Sequence, residues 1–173
     1  VLVHGASVLF SNNKVPVHKT IKKKVIPFSG NDNRVLLLRN SISGHNIIFR
    51  SNLVKKIIPF PDALYYDWWI AVNATCAGSI AATNKILVYQ RNHDKNITVK
   101  KRTTKKQTTS ECEERIIALK HFINIQSLSF ESKMLATALL KKYQVLENKR
   151  YSFGLFILLL RNARILFSYK KNK

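Results

Sequence analysis

The rhythm of hydrophobic and polar positions changes along this chain. Residues 1–10, "VLVHGASVLF", read as a strand bent at Gly5, and a polar turn and a basic connector, "KTIKKK", follow. "RVLLLR" is too short for its period to choose between helix and strand. "SGHNIIFR" reads as a buried strand over residues 44–50, and "SNLVKK" as one helical turn capped by Ser51. "PFPDA" is a loop, because Pro59 and Pro61 each disfavour helix in the preceding residue. From Asp67 the pattern turns helical: Trp68, Ala71, Val72 and Thr75 fall at offsets 0, 3, 4 and 7, one helix face, and Gly78 is a natural stop. "SIAATNKILVYQR" is a strand or two short strands turning at Asn84, and "NHDKNITVKKRTTKKQTTS" a polar, basic loop.

Beyond Ser110 the rhythm is helical throughout. "SECEERIIALKHFINI" has Ser110 as N-cap and Glu113 three residues on, the spacing of a capping box. "SFESKMLATALLKKYQVL" is a second amphipathic helix and "YSFGLFILLLRNARILFSYKK" a third, more apolar one. The expected layout is therefore α/β over residues 1–109, then a helical extension over 110–173. No internal repeat is evident.

Composition adds one strong constraint. The 173 residues suit one domain, or part of a larger protein, and the hydrophobic fraction of 46% is that of a folded chain. The formal charge of +21 draws polyanions: nucleic acid, anionic lipid or a phosphate-bearing ligand. Cys76 and Cys112 make no disulfide framework and lie at no metal-ligand spacing, so they read as reduced thiols of a cytosolic protein. The apolar run at residues 152–160 is too short to cross a bilayer, which takes about 20 residues. The chain opens as a core strand entered midway, as a fragment would.

Four groups of residues are candidates for chemistry. Asp67, among Tyr65, Tyr66, Trp68 and Trp69, is a good helix N-cap. A carboxylate held at a helix start also stays ionised and can act as a general base. The aromatics next to it can wall a sugar face or belong to the core. In "RNHDKN", Arg91 and Lys95 match a diphosphate and His93 can ligate a metal ion, with Asn96 beside them; a solvated basic loop would look the same. Gly44 lets backbone bend or another group approach, and His45 follows it. The runs "KTIKKK" and "KKRTTKK" lack the interleaved aromatics of single-strand binders, which makes nucleic acid an unfavoured partner. There is no phosphate loop, nucleophile elbow or zinc-protease motif.

In their order along the chain, Gly44, Pro59-Phe60-Pro61, Asp67-Trp68-Trp69 and Arg91-x-His93-x-x-Asn96 resemble the C-terminal half of family 2 glycosyltransferases. The branch it looks closest to holds the rhamnosyltransferase-like enzymes of bacterial surface polysaccharide synthesis. The resemblance covers residues 1–96. It implies a GT-A fold and an inverting transfer from a nucleotide-diphospho-sugar to a saccharide or lipid-linked acceptor. On that likeness Asp67 is the catalytic base. His93 lies near a divalent metal, Mg or Mn, and the diphosphate. Arg91, Lys95 and Asn96 hold the donor diphosphate, and Gly44, His45, Tyr66, Trp68 and Trp69 line the acceptor side. The chain departs from the pattern at Gln90, where a tyrosine usually precedes the arginine, and in "NITVK", which lacks a glycine. The nucleotide-binding half, with the aspartates that ligate the metal, is expected upstream of Val1, so the chain alone should be inactive.

Lipid-linked acceptors imply work at the cytoplasmic face of the cell membrane. The third helix suits this: Phe153, Phe156, Leu159, Leu160 and Phe167 can enter an interface, with Arg161, Arg164, Lys170 and Lys171 toward headgroups. The same apolar residues can instead pack on protein. The rival function, from a different class, is a non-catalytic basic module that binds nucleic acid or an anionic membrane surface.

Overall fold

The computed structural model describes residues 1–10, 28–91, 104–148 and 151–168. Its architecture is mixed α/β. Strand β1 (Leu2–Phe10) is the centre of a three-stranded sheet of order β2-β1-β3. β2 (Ile47–Phe49) runs antiparallel to it, with Leu2 opposite Phe49 and His4 opposite Ile47. β3 (Ile80–Arg91) runs parallel to it, from Leu2 opposite Ile80 to Phe10 opposite Arg91.

Alternation along the strands separates two faces. Leu2, His4 and Ile80 are buried, whereas Val3, Ile48 and Ala81, which share one register row, are exposed. His4 is buried because its Nε2 is satisfied, donating to the Phe28 carbonyl at 2.8 Å. The expected bend at Gly5 is present as a register shift between His4 and Ala6. A side chain at Gly5 would collide with Leu87, so the close approach of β3 requires glycine there.

Several expectations need correction. β3 is one strand, and the irregularity near Asn84 is a bulge rather than a hairpin turn. The stretch 44–50 is not a buried strand. Gly44–Asn46 is a 3-10 turn, β2 has three residues, and Ile48 is 78% exposed. Ser51 caps nothing: Arg50 precedes the 3-10 turn Ser51–Leu53, which leads into α1 (Val54–Ile57). The ambiguous "RVLLLR" is a 3-10 turn, Asn33–Leu36, started by Asp32, whose Oδ1 accepts from the Arg34 amide at 3.1 Å. Its period was illegible because Val35, Leu36, Leu37 and Leu38 are all buried.

Helix α2 (Tyr66–Ala77) buries the expected face of Trp68, Ala71, Val72 and Thr75 and stops at Gly78, whose φ of 156° favours glycine. α3 (Thr104–Ile123) starts well before Ser110, so the capping box and a loop reaching residue 110 are both overturned. α4 (Phe130–Asn148) is as expected. The third helix is two pieces, α5 (Phe153–Arg161) and α6 (Ala163–Leu166), broken where the Asn162 side-chain amide donates to the Leu158 carbonyl.

The helices of residues 104–168 share a core with the sheet and α2. Leu2, Leu36, Val72 and Ile80 pack in one cluster with Leu119, Phe122, Leu139 and Leu166. The Trp68 and Phe122 rings meet edge to face at 5.5 Å. Ser132 donates to the Asn33 side-chain carbonyl across the same contact. Among the described residues, no helix is long and apolar enough to cross a membrane.

Candidate functional site at the start of the second helix

Asp67 is not the N-cap of α2. Tyr65 holds that position with extended backbone, and Asp67 lies one residue inside the first turn. The helix therefore leaves its carboxylate unused as a cap, and it reaches across the chain instead. Its Oδ2 accepts the backbone N–H of Gly44 at 3.2 Å. Among the described residues Oδ1 makes no hydrogen bond, and the side chain is half-buried. The result is a carboxylate with one oxygen tied down and the other open.

The turn that holds it is itself anchored. Asn46 is buried and its Nδ2 donates to the carbonyl of Gly5 at 2.6 Å, which seats the Gly44–Asn46 turn on β1 opposite the bulge of β3. Asn46 is the residue the sequence reading missed. Its signal was an asparagine directly before an apolar pair, since asparagine side chains compete for backbone groups at turns. The Asn46 Oδ1 is buried with no partner among the described residues.

Tyr66 and His45 are the chain neighbours of Asp67 and Gly44, the two residues joined by that hydrogen bond. Tyr66 is 54% exposed, and its ring lies against Gly44, in the space a larger residue would fill. That packing explains the glycine better than backbone freedom does: Gly44 is absent from the positive-φ residues, whose glycines among the described residues are Gly30 and Gly78. His45, the middle residue of the turn, is exposed.

The two tryptophans are both held in the packing around α2. Trp68 is 5% exposed, and its Nε1 donates to the Leu36 carbonyl at 2.6 Å. It is a core residue and presents no face to a ligand at Asp67. Trp69 is half-buried, donates to the Ile57 carbonyl at 2.9 Å and meets His121 edge to face. Both rings brace α2 against its neighbours.

Arg91 ends β3 opposite Phe10, whereas the Gly44 turn is seated at Gly5. Five residues of strand separate the two levels, roughly 15 Å. Arg91 thus lies outside the hydrogen-bonding shell of Asp67. His93, Lys95 and Asn96 lie outside the described residues. Among the described residues no three His, Cys, Asp or Glu side chains converge as a metal site.

The chain matches no known family model, no curated protein and no solved structure.

Proposed function

We propose that this chain is the acceptor side of a GT-A glycosyltransferase, which transfers a sugar with inversion from a nucleotide-diphospho-sugar to a saccharide or lipid-linked acceptor. The observation that carries this reading is the half-held carboxylate of Asp67, bound through Oδ2 by the Gly44 amide and open at Oδ1, with Tyr66 beside it. The resemblance of the ordered motifs around Gly44, Asp67 and Arg91 to family 2 enzymes supplies the reaction.

The step follows from that arrangement. The acceptor hydroxyl lies within hydrogen-bonding reach of Oδ1, and its oxygen attacks the anomeric carbon. Asp67 takes the hydroxyl proton as the new glycosidic bond forms. The bond from the anomeric carbon to the diphosphate breaks on the opposite face, which inverts the centre and releases the nucleoside diphosphate. The Gly44 hydrogen bond fixes the carboxylate's direction. Tyr66 offers an exposed aromatic plane on which a pyranose ring can rest.

The test is transfer by the full gene product, supplied with nucleotide-diphospho-sugars, saccharide or lipid-linked acceptors and Mg²⁺ or Mn²⁺. Acceptor-dependent release of nucleoside diphosphate supports the reading. No release with any donor, together with no saturation transfer from protein to saccharides in NMR, overturns it.

A further inference from the structure

The strongest feature that the glycosyl-transfer reading does not use is an uncovered side of α5. Phe153 is 76% exposed, Phe156 60% and Leu160 65%. At about 100° per residue these three lie within about 60° of one another on the helix surface. The Phe153 and Phe156 rings stack, with centroids 6.4 Å apart, so they form one continuous apolar stripe. Leu159 and Phe167 do not belong to it: both are half-buried and line a cleft with Leu38 and Tyr143. Lys170 and Lys171 lie outside the described residues.

The stripe has a charged border. Between α4 and α5 runs a groove of about 360 Å³, lined by Lys141, Lys142, Gly154, Ile157 and Arg161 among others. Gly154 gives Lys142 room to lie across α5: a side-chain carbon there would sit 3.0 Å from the lysine Nζ. Lys141, Lys142, Arg161 and Arg164 are all exposed. No acidic residue occurs from Tyr151 to Ser168. Large exposed aromatics next to unopposed cations are what an anionic bilayer surface accommodates: rings enter the acyl boundary and ammonium and guanidinium groups meet lipid phosphates.

We propose that α5, with the cationic groove beside it, docks this protein onto an anionic lipid bilayer, lying in the interface plane. A free phosphate would satisfy the groove and leave the stripe in water; the bilayer satisfies both. The inference stands on α5 and the groove beside it and is independent of the role given to Asp67.

The experiment is co-flotation with large unilamellar vesicles of 3:7 phosphatidylglycerol:phosphatidylcholine and of pure phosphatidylcholine, at low salt. The net charge draws every basic face toward anionic vesicles, so variants locate the docking surface. The pair Phe153→Ser and Phe156→Ser, which leaves charge unchanged, should weaken partitioning into the anionic vesicles at least tenfold with far-UV circular dichroism unaltered. Charge reversal at Lys142 and Arg161 should weaken it more than the same change at Lys55 and Lys56 on α1. Absence of binding to anionic vesicles overturns the proposal, as does binding that the phenylalanine pair leaves unchanged. A dimer that dissociates in the same pair, without vesicle binding, would assign the stripe to a second copy instead.

Discussion

At the scale of single residues, Asp67 and Gly44 define each other. Gly44 gives its N–H to the carboxylate and its missing side chain to the Tyr66 ring. The atoms that Gly44→Ala would strike belong to the far end of an exposed tyrosine, so the ring moves and the backbone stays. The expected result is a melting temperature close to the parent's and an acceptor KM raised several-fold. In a Tyr66→Ala background the same change should add nothing, which a double-mutant cycle measures. Asp32 gives a pH prediction. Hydrogen bonds from the Arg34 guanidinium hold its carboxyl below the usual range, against the opposing effect of partial burial. Protons then bind the unfolded chain more readily than the folded one. The contribution is complete above the unfolded carboxylate value and is lost as pH falls through the lower folded value. Because the pair is partly exposed, it is worth about 0.5 kcal/mol or less. Asp32→Asn should therefore narrow its stability gap to the parent as pH drops from 5 to 3, read by urea titration at each pH.

Among the elements, α2 and α5 show what could and could not be read from the chain. The α2 face was legible because Trp68, Ala71, Val72 and Thr75 repeat at helical spacing, and their burial follows that period. Its first residue was not legible, because a good capping residue sat one turn position inside and made its hydrogen bond elsewhere. The sequence leaves the tryptophans open as cleft walls or core, because nothing local distinguishes an indole that meets a distant carbonyl from one that faces solvent. The Leu36 carbonyl that Trp68 satisfies is 32 residues away. Trp68→Phe removes that donor and leaves a buried carbonyl unpaired, which should cost about 1–3 kcal/mol in chemical denaturation. In α5, Ser152 accepts the Leu155 amide at 3.2 Å and is a true N-cap. Ser152→Ala should cost about 1 kcal/mol. The helix also loses content at its first turn, which an α5-localised hydrogen-exchange measurement would detect.

For the whole molecule, the expected boundary near residue 110 crosses a shared core. Phe122 on α3 packs against Trp68 on α2, and Asn33 joins Ser132 on α4. One cooperative unfolding transition is expected, with tryptophan fluorescence from α2 coincident with far-UV circular dichroism, which is dominated by α3 and α4. Two separated transitions would mean that the sheet and the helices are independent units. Phe122→Ala should lower both signals together by about 3–5 kcal/mol. At its edge this assembled core holds an aspartate, Asp67, with one oxygen fixed and one open. The most direct test of its role as base is the steady-state transfer rate of the full gene product with Asp67→Asn, beside donor binding by calorimetry. The expected result is a loss of turnover of at least about 100-fold, within the range for removal of a general base, and donor affinity within about twofold of the parent. Turnover retained in the asparagine variant would contradict that role.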